Sequence, residues 1–205
     1  MRRRSLVFLL WALCLTAASS PPATQAKAAA RAARQASRQY VQGTVVGIGG
    51  RWSGRSRPFS LQVNNYTSPD DVARLDQALR SGGQEELLRV LSGLNAGRVS
   101  VGNNVGVRAN AVIATRTAEG GTKLTVLFER NVSIYELRYG ARSQDYRFGY
   151  AEVFLDGRGR GEGTFIPAAK VRMREGSTWE VEDFGAFPAR LMGLRASGNV
   201  GGVAR

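Results

Sequence analysis

The side chains best suited to chemistry gather between residues 135 and 154. There Tyr135, Tyr139, Tyr146, Phe148, Tyr150 and Phe154 are interleaved with Arg138, Arg142, Asp145, Arg147 and Glu152. Tyrosine offers a flat apolar ring with a hydroxyl at its tip, and arginine offers a planar fork of donors. Together they suit recognition of a small amphipathic molecule. Residues 139–149 fall between two strand-like runs, and loops held on a rigid scaffold commonly carry binding groups. The expected ligand contacts are therefore Tyr139, Arg142, Asp145, Tyr146 and Arg147. A plainer reading fits the same residues: a strand pair with tyrosines facing a core and arginines facing water.

The rest of the reactive inventory is thin. The chain has 205 residues, no histidine, and a single cysteine, Cys14. Those counts exclude a Ser–His–Asp triad, a Cys–His pair and imidazole-bound metals. Glu136, Asp145, Glu152 and Glu162 leave a carboxylate-based glycan hydrolase as an alternative, since two acids at the right separation suffice for that reaction. Their spacing brings no two of them together, so no catalytic residue is assigned. No metal ligand or cofactor is assigned either. The run from Asp156 to Glu162 looks like a calcium loop, but Arg158 and Arg160 stand where oxygen ligands are needed, and it reads as a hairpin turn. A further alternative is polyanion binding by Arg51, Trp52, Arg55 and Arg57, which follow Gly49 and Gly50. No nucleic-acid recognition motif accompanies them, so nucleic acid is not the expected partner.

The N-terminus reads as an address. Arg2, Arg3 and Arg4 precede an apolar run over residues 6–18, shorter than the ~20 residues that cross a bilayer as a helix. A signal peptide over residues 1–26 is expected, and with it a periplasmic or extracellular location and no transmembrane span after cleavage. Residues 27–39 form an alanine-rich basic linker with Lys27, Arg31, Arg34 and Arg38 at steps of four, three and four. The formal charge of the whole chain is +13. Part of it belongs to these two N-terminal segments.

The elements that must position any site lie in one domain over residues 40–195, followed by a glycine-rich tail over 196–205. Phe59, Leu61 and Val63 alternate with polar residues, as a half-buried strand does. Val105, Val107, Ala109, Ala111 and Ile113 alternate in the same way, then turn through Glu119-Gly120-Gly121 into Leu124, Val126 and Phe128. Two more hairpins are expected, one turning at residues 157–161 and one at 175–177. A helical insertion over residues 68–92 interrupts the strands. Ser68 suits an N-cap, Pro69 the first helical position, and Gly82-Gly83 separates Val72, Leu75 and Leu79 from Leu87, Leu88 and Leu91. The fold class is thus α+β and predominantly antiparallel β, a barrel or sandwich meander with a helical hairpin.

Arg57-Pro58-Phe59-Ser60-Leu61, Gly97-Arg98-Val99-Ser100-Val101-Gly102, Asp145-Tyr146-Arg147-Phe148-Gly149 and the run from Gly161 to Lys170 carry a resemblance. Over residues 43–194 the chain resembles a family of uncharacterised exported bacterial proteins of unknown function. The resemblance implies export and brings no activity with it. The sequence therefore reads as an exported, non-enzymatic β-rich domain that binds a small amphipathic molecule or an envelope component.

Overall fold

Period-two alternation places apolar side chains on one side of most strands, and that side must be covered. The sheet covers it by curling on itself. The computed structural model describes residues 38–48, 53–130, 145–174, 178–183 and 189–198. The expected signal peptide and most of the linker lie outside the described residues. In chain order the elements are β1 (Gln39–Gly47), β2 (Ser56–Val63), α1 (Pro69–Ser92), β3 (Gly97–Val101), β4 (Val107–Ala109) and β5 (Ala111–Arg116). They continue with β6 (Thr122–Glu129), β7 (Phe148–Leu155), β8 (Arg160–Arg174), β9 (Thr178–Asp183) and β10 (Ala189–Ser197). The sheet thus begins at Gln39 and ends at Ser197, slightly wider than the 40–195 expected.

All pairings are antiparallel, in the order β4-β3-β2-β1-β10-β8-β7-β6-β5, with β9 paired to the second half of β8. Two meanders, β1 to β4 and β5 to β9, are joined by β10, the last strand in the chain. The path ends at β4 and β5, which only Asn110 separates in sequence, so the sheet is a nearly closed barrel. Val41, Leu61, Val99, Val126, Val153 and Leu191 point inward among the buried residues of one core cluster.

Asn110 corrects one expectation. Val107 and Ala109 face the interior, but beyond Asn110 the inward places pass to Val112 and Ala114, and Ala111 turns outward. The alternation slips by one residue because the Asn110 side chain is itself buried and used. Its Nδ2 donates to the Leu91 and Leu94 carbonyls at 3.0 and 3.3 Å, and its Oδ1 accepts from the Glu129 amide at 3.0 Å. A second correction concerns β8, which runs unbroken from Arg160 to Arg174 where two separate strands were expected.

The insertion packs on the outside of the barrel. Ser68 caps α1 by accepting from the Asp71 amide at 3.1 Å, while its hydroxyl donates to the Asp71 carboxylate. Gly83 breaks the helical run with φ 62° and ψ −147°, a conformation that costs any residue with a Cβ. The two arms then bring Leu75, Leu79, Leu87 and Leu91 together over Leu127, Phe148, Tyr150, Ile166 and Val171. This second core lies against the outer faces of β6 to β9.

Candidate binding site

The barrel's two ends differ. At the end where β1 finishes and β2 begins, the described residues leave the interior open. A cavity of about 260 Å³ is lined by Val45, Gly47, Val101, Phe165, Pro167 and Ala189, with Arg55 and Arg57 at its edge. An adjoining chamber of about 390 Å³ shares Val101 and Phe165 and adds Val99, Val107 and Phe128. Volumes of this order are those of small-molecule pockets, whose walls are mostly apolar with a few placed polar groups.

Three phenylalanines pack together at the base of the cavity: Phe165 lines both spaces, Phe128 lines the second, and Phe59 is buried against Phe165. Phe165 stands edge-on to Phe59, with centroids 6.3 Å apart, and stacks against Phe128 at 6.2 Å. Ring pairs at these separations attract beyond their burial alone. Phe128 can lie flat only because Gly149 is opposite it: a Cβ there would stand 2.1 Å from the ring. Above them, Arg57 has the same parity on β2 as Phe59 and Leu61, and it pairs with the inward-facing Val45. Arg55 continues that parity just before the strand. Two guanidinium groups thus stand at the mouth of an apolar chamber, where they can hold a carboxylate or phosphate through paired N–H bonds.

The sequence-derived site residues are distributed differently. Tyr139 and Arg142 lie outside the described residues. Asp145 is exposed. The Tyr146 hydroxyl donates to Glu182 on β9 at 2.7 Å, and that bond holds the phenol above its ordinary pKa. Arg147 reaches Glu85 on α1 at 3.3 Å. Tyr146 and Arg147 therefore tie the start of β7 to β9 and α1, on the outside of the barrel. Of the basic cluster, Arg51 and Trp52 lie outside the described residues, while Arg55 and Arg57 rim the cavity.

Among the carboxylates, Glu136 lies outside the described residues. Glu152 is on the outer face of β7, where it receives Lys123 at 2.7 Å and the Tyr150 hydroxyl at 2.7 Å. Burial pushes its carboxyl up, but the bonds from Lys123 and Tyr150 outweigh that and leave it below the ordinary glutamate value. A carboxylate held ionised in this way is poorly placed to act as a general acid. Glu162 is exposed on the neighbouring strand, one register step away, opposite Phe154.

Sequence reasoning missed Phe59, Phe128 and Phe165 as a group, because only strand pairing brings them to one end of the barrel. It offered Arg57 as part of a polyanion-binding cluster with Arg51, Trp52 and Arg55, not as a cavity residue. The signal that would have found it is its parity: Arg57 stands two residues before Phe59 in the same alternating run. Comparison of the chain with protein-family models, curated proteins and solved structures finds no match.

Proposed function

We propose that this is an exported barrel protein that binds an elongated apolar molecule with an anionic head, such as a medium-chain fatty acid. The chain of the ligand would lie on Phe165 and Phe128, and the head would meet Arg55 and Arg57. The observation that carries this reading is a pair of arginines at the edge of an apolar cavity walled by Phe165, with Phe128 lining the adjoining chamber.

Dodecanoate and dodecan-1-ol, matched in chain and different in head, test it by isothermal titration calorimetry. Charge-assisted bonds contribute about 1.5–3 kcal/mol, so Arg57→Ala is expected to weaken dodecanoate at least tenfold. Dodecan-1-ol, if it binds, should change by no more than about twofold, within the range of a neutral surface effect. No binding of dodecanoate, or equal losses for both compounds, would remove the proposal. Export is part of the same reading, supported by the basic and apolar leader. N-terminal sequencing of protein recovered outside the cytoplasm should begin near residue 27.

A further inference from the structure

All sixteen side-chain carboxylates of the chain fall within two stretches of the sequence, residues 70–86 and 119–183. There is no aspartate or glutamate before Asp70, none between Glu86 and Glu119, and none after Asp183. The topology turns that spacing into geography. Strands β4, β3, β2, β1 and β10 are neighbours in the sheet and carry no acid, while Arg57, Arg98, Arg108, Arg190 and Arg195 lie on them. Among the described residues every acid sits on α1, on β6 to β9, or in the turns that adjoin β6, β7 and β8. The molecule is therefore polarised, with one half of the barrel wall purely cationic.

A second observation falls on the same half. Four large apolar residues are exposed among the described residues, and two of them are at the open end: Ile48 at 52% and Val105 at 85%. Ile48 follows β1, and Val105 belongs to the turn between β3 and β4. Ile48 adjoins Arg55, whose carbonyl accepts from the Gly47 amide, and Val105 lines the rim of the adjoining chamber, where its carbonyl accepts from Arg98. Apolar side chains projecting from a rim of arginines match the boundary between acyl chains and anionic headgroups. A basic surface alone would suit any polyanion; the projecting tips favour a bilayer.

We infer that the open end of the barrel docks on a membrane containing anionic phospholipid. Ile48 and Val105 enter the headgroup boundary, and the acid-free wall lies toward the lipid charge. The docking does not require a ligand in the cavity, although it would place the mouth where acyl chains are found. An arginine near an anionic surface contributes roughly a fivefold gain in binding, and the gain disappears as salt screens it.

The test places an environment-sensitive nitrobenzoxadiazole label on the full chain at Val105→Cys, with Cys14→Ser removing the native thiol. A second label at Glu119→Cys reports on the opposite end. The probe is vesicles of equal phosphatidylglycerol and phosphatidylcholine, with and without nitroxide-bearing acyl chains. The label at 105 should shift blue and be quenched by the nitroxide, whereas the label at 119 should stay in water. Ile48→Asp should lower the signal at 105 at least fivefold, and dodecanoate titrated without vesicles should be unaffected by that change, since Ile48 does not line the cavity. Equal insertion of both labels would overturn the inference. So would a label at 105 that stays in water while vesicles or heparin bind, which would leave charge alone at work. Failure of dodecanoate to bind with docking intact would count only against the cavity reading.

Discussion

Asn110 is the only polar residue fully buried among the described residues, with 3% of its surface exposed. Its three bonds join the end of α1 to β6 at the seam where the barrel closes. Asn110→Ala would leave the Glu129 amide without its partner, whereas the Leu91 carbonyl keeps the Leu94 amide; a stranded buried group costs about 1–3 kcal/mol. A loss of roughly 2 kcal/mol in urea unfolding is expected. Asn110→Asp should be worse at neutral pH, because a carboxylate cannot donate to two carbonyls, and its deficit should narrow near pH 4 as the acid gains a proton. The sequence concealed this role, since a polar residue in an alternating run reads as an outward one. Charge elsewhere sets the pH response. Glu152 sits below its ordinary pKa, as does Asp156, whose carboxylate accepts from the Arg160 and Arg158 amides. A lowered folded pKa means stability that is complete above about pH 4 and lost as the pH falls through the folded values. Thermal melts should therefore drop steeply below pH 4, and Asp156→Asn should flatten part of that slope. At the alkaline end the sign reverses. Burial and the bond to Glu152 hold the Tyr150 phenol far above its usual range. Its contribution is complete below about pH 10 and is lost as the pH rises beyond it.

Among the elements, α1 shows what local sequence can and cannot announce. Ser68, Pro69 and the paired glycines declare a cap, a first turn and a break within a few residues of one another, so the hairpin was legible. Its seat was not. The Trp179 indole donates to Asp76 at 2.6 Å across 103 positions of sequence, and no short-range pattern encodes that pairing. The same holds for the phenylalanine cluster, which exists only once β2, β6 and β8 are in register. Two substitutions separate the break from the packing. Gly83→Ala forces a side chain into a backbone region that is essentially glycine's own, at a cost of about 1–3 kcal/mol. Nothing lies within 4 Å of the Cβ it would add, so strain alone is responsible. Leu87→Ala keeps the backbone and empties a fully buried site, which costs about 2–5 kcal/mol. Guanidinium unfolding should rank Leu87→Ala below Gly83→Ala. The reverse order would mean that the arms are held by the turn and not by their contact with the sheet.

For the molecule as a whole, the decisive connection is the placement of the last strand at the centre of the sheet. β10 pairs with β1 on one side and β8 on the other, and its Leu191 and Leu194 are buried in the barrel interior. Most of the second meander, β5 to β9, is legible from turns and alternation, because its hairpin partners are close in sequence; of the first only β2 is, since α1 separates it from β3. The strand that unites them is not, since β1 and β10 lie about 150 residues apart in register (Tyr40 opposite Ser197). Pairing over such separations closes large loops, which slows folding and makes it dependent on the finished chain. Ending the chain at Pro188 should therefore leave β1 and β8 as unpaired edges above an exposed apolar interior, and such edges recruit other chains. The expected product is an aggregate without a cooperative melt. Ending it at Gly198 keeps every pairing of β10, including Tyr40 with Ser197, and should preserve the melting temperature of the full chain. Circular dichroism melts of the two truncations, with size-exclusion chromatography to follow association, distinguish the cases. A cooperative melt in the shorter form would mean that each meander buries its own core, and that β10 is an accessory to the barrel and not its closure.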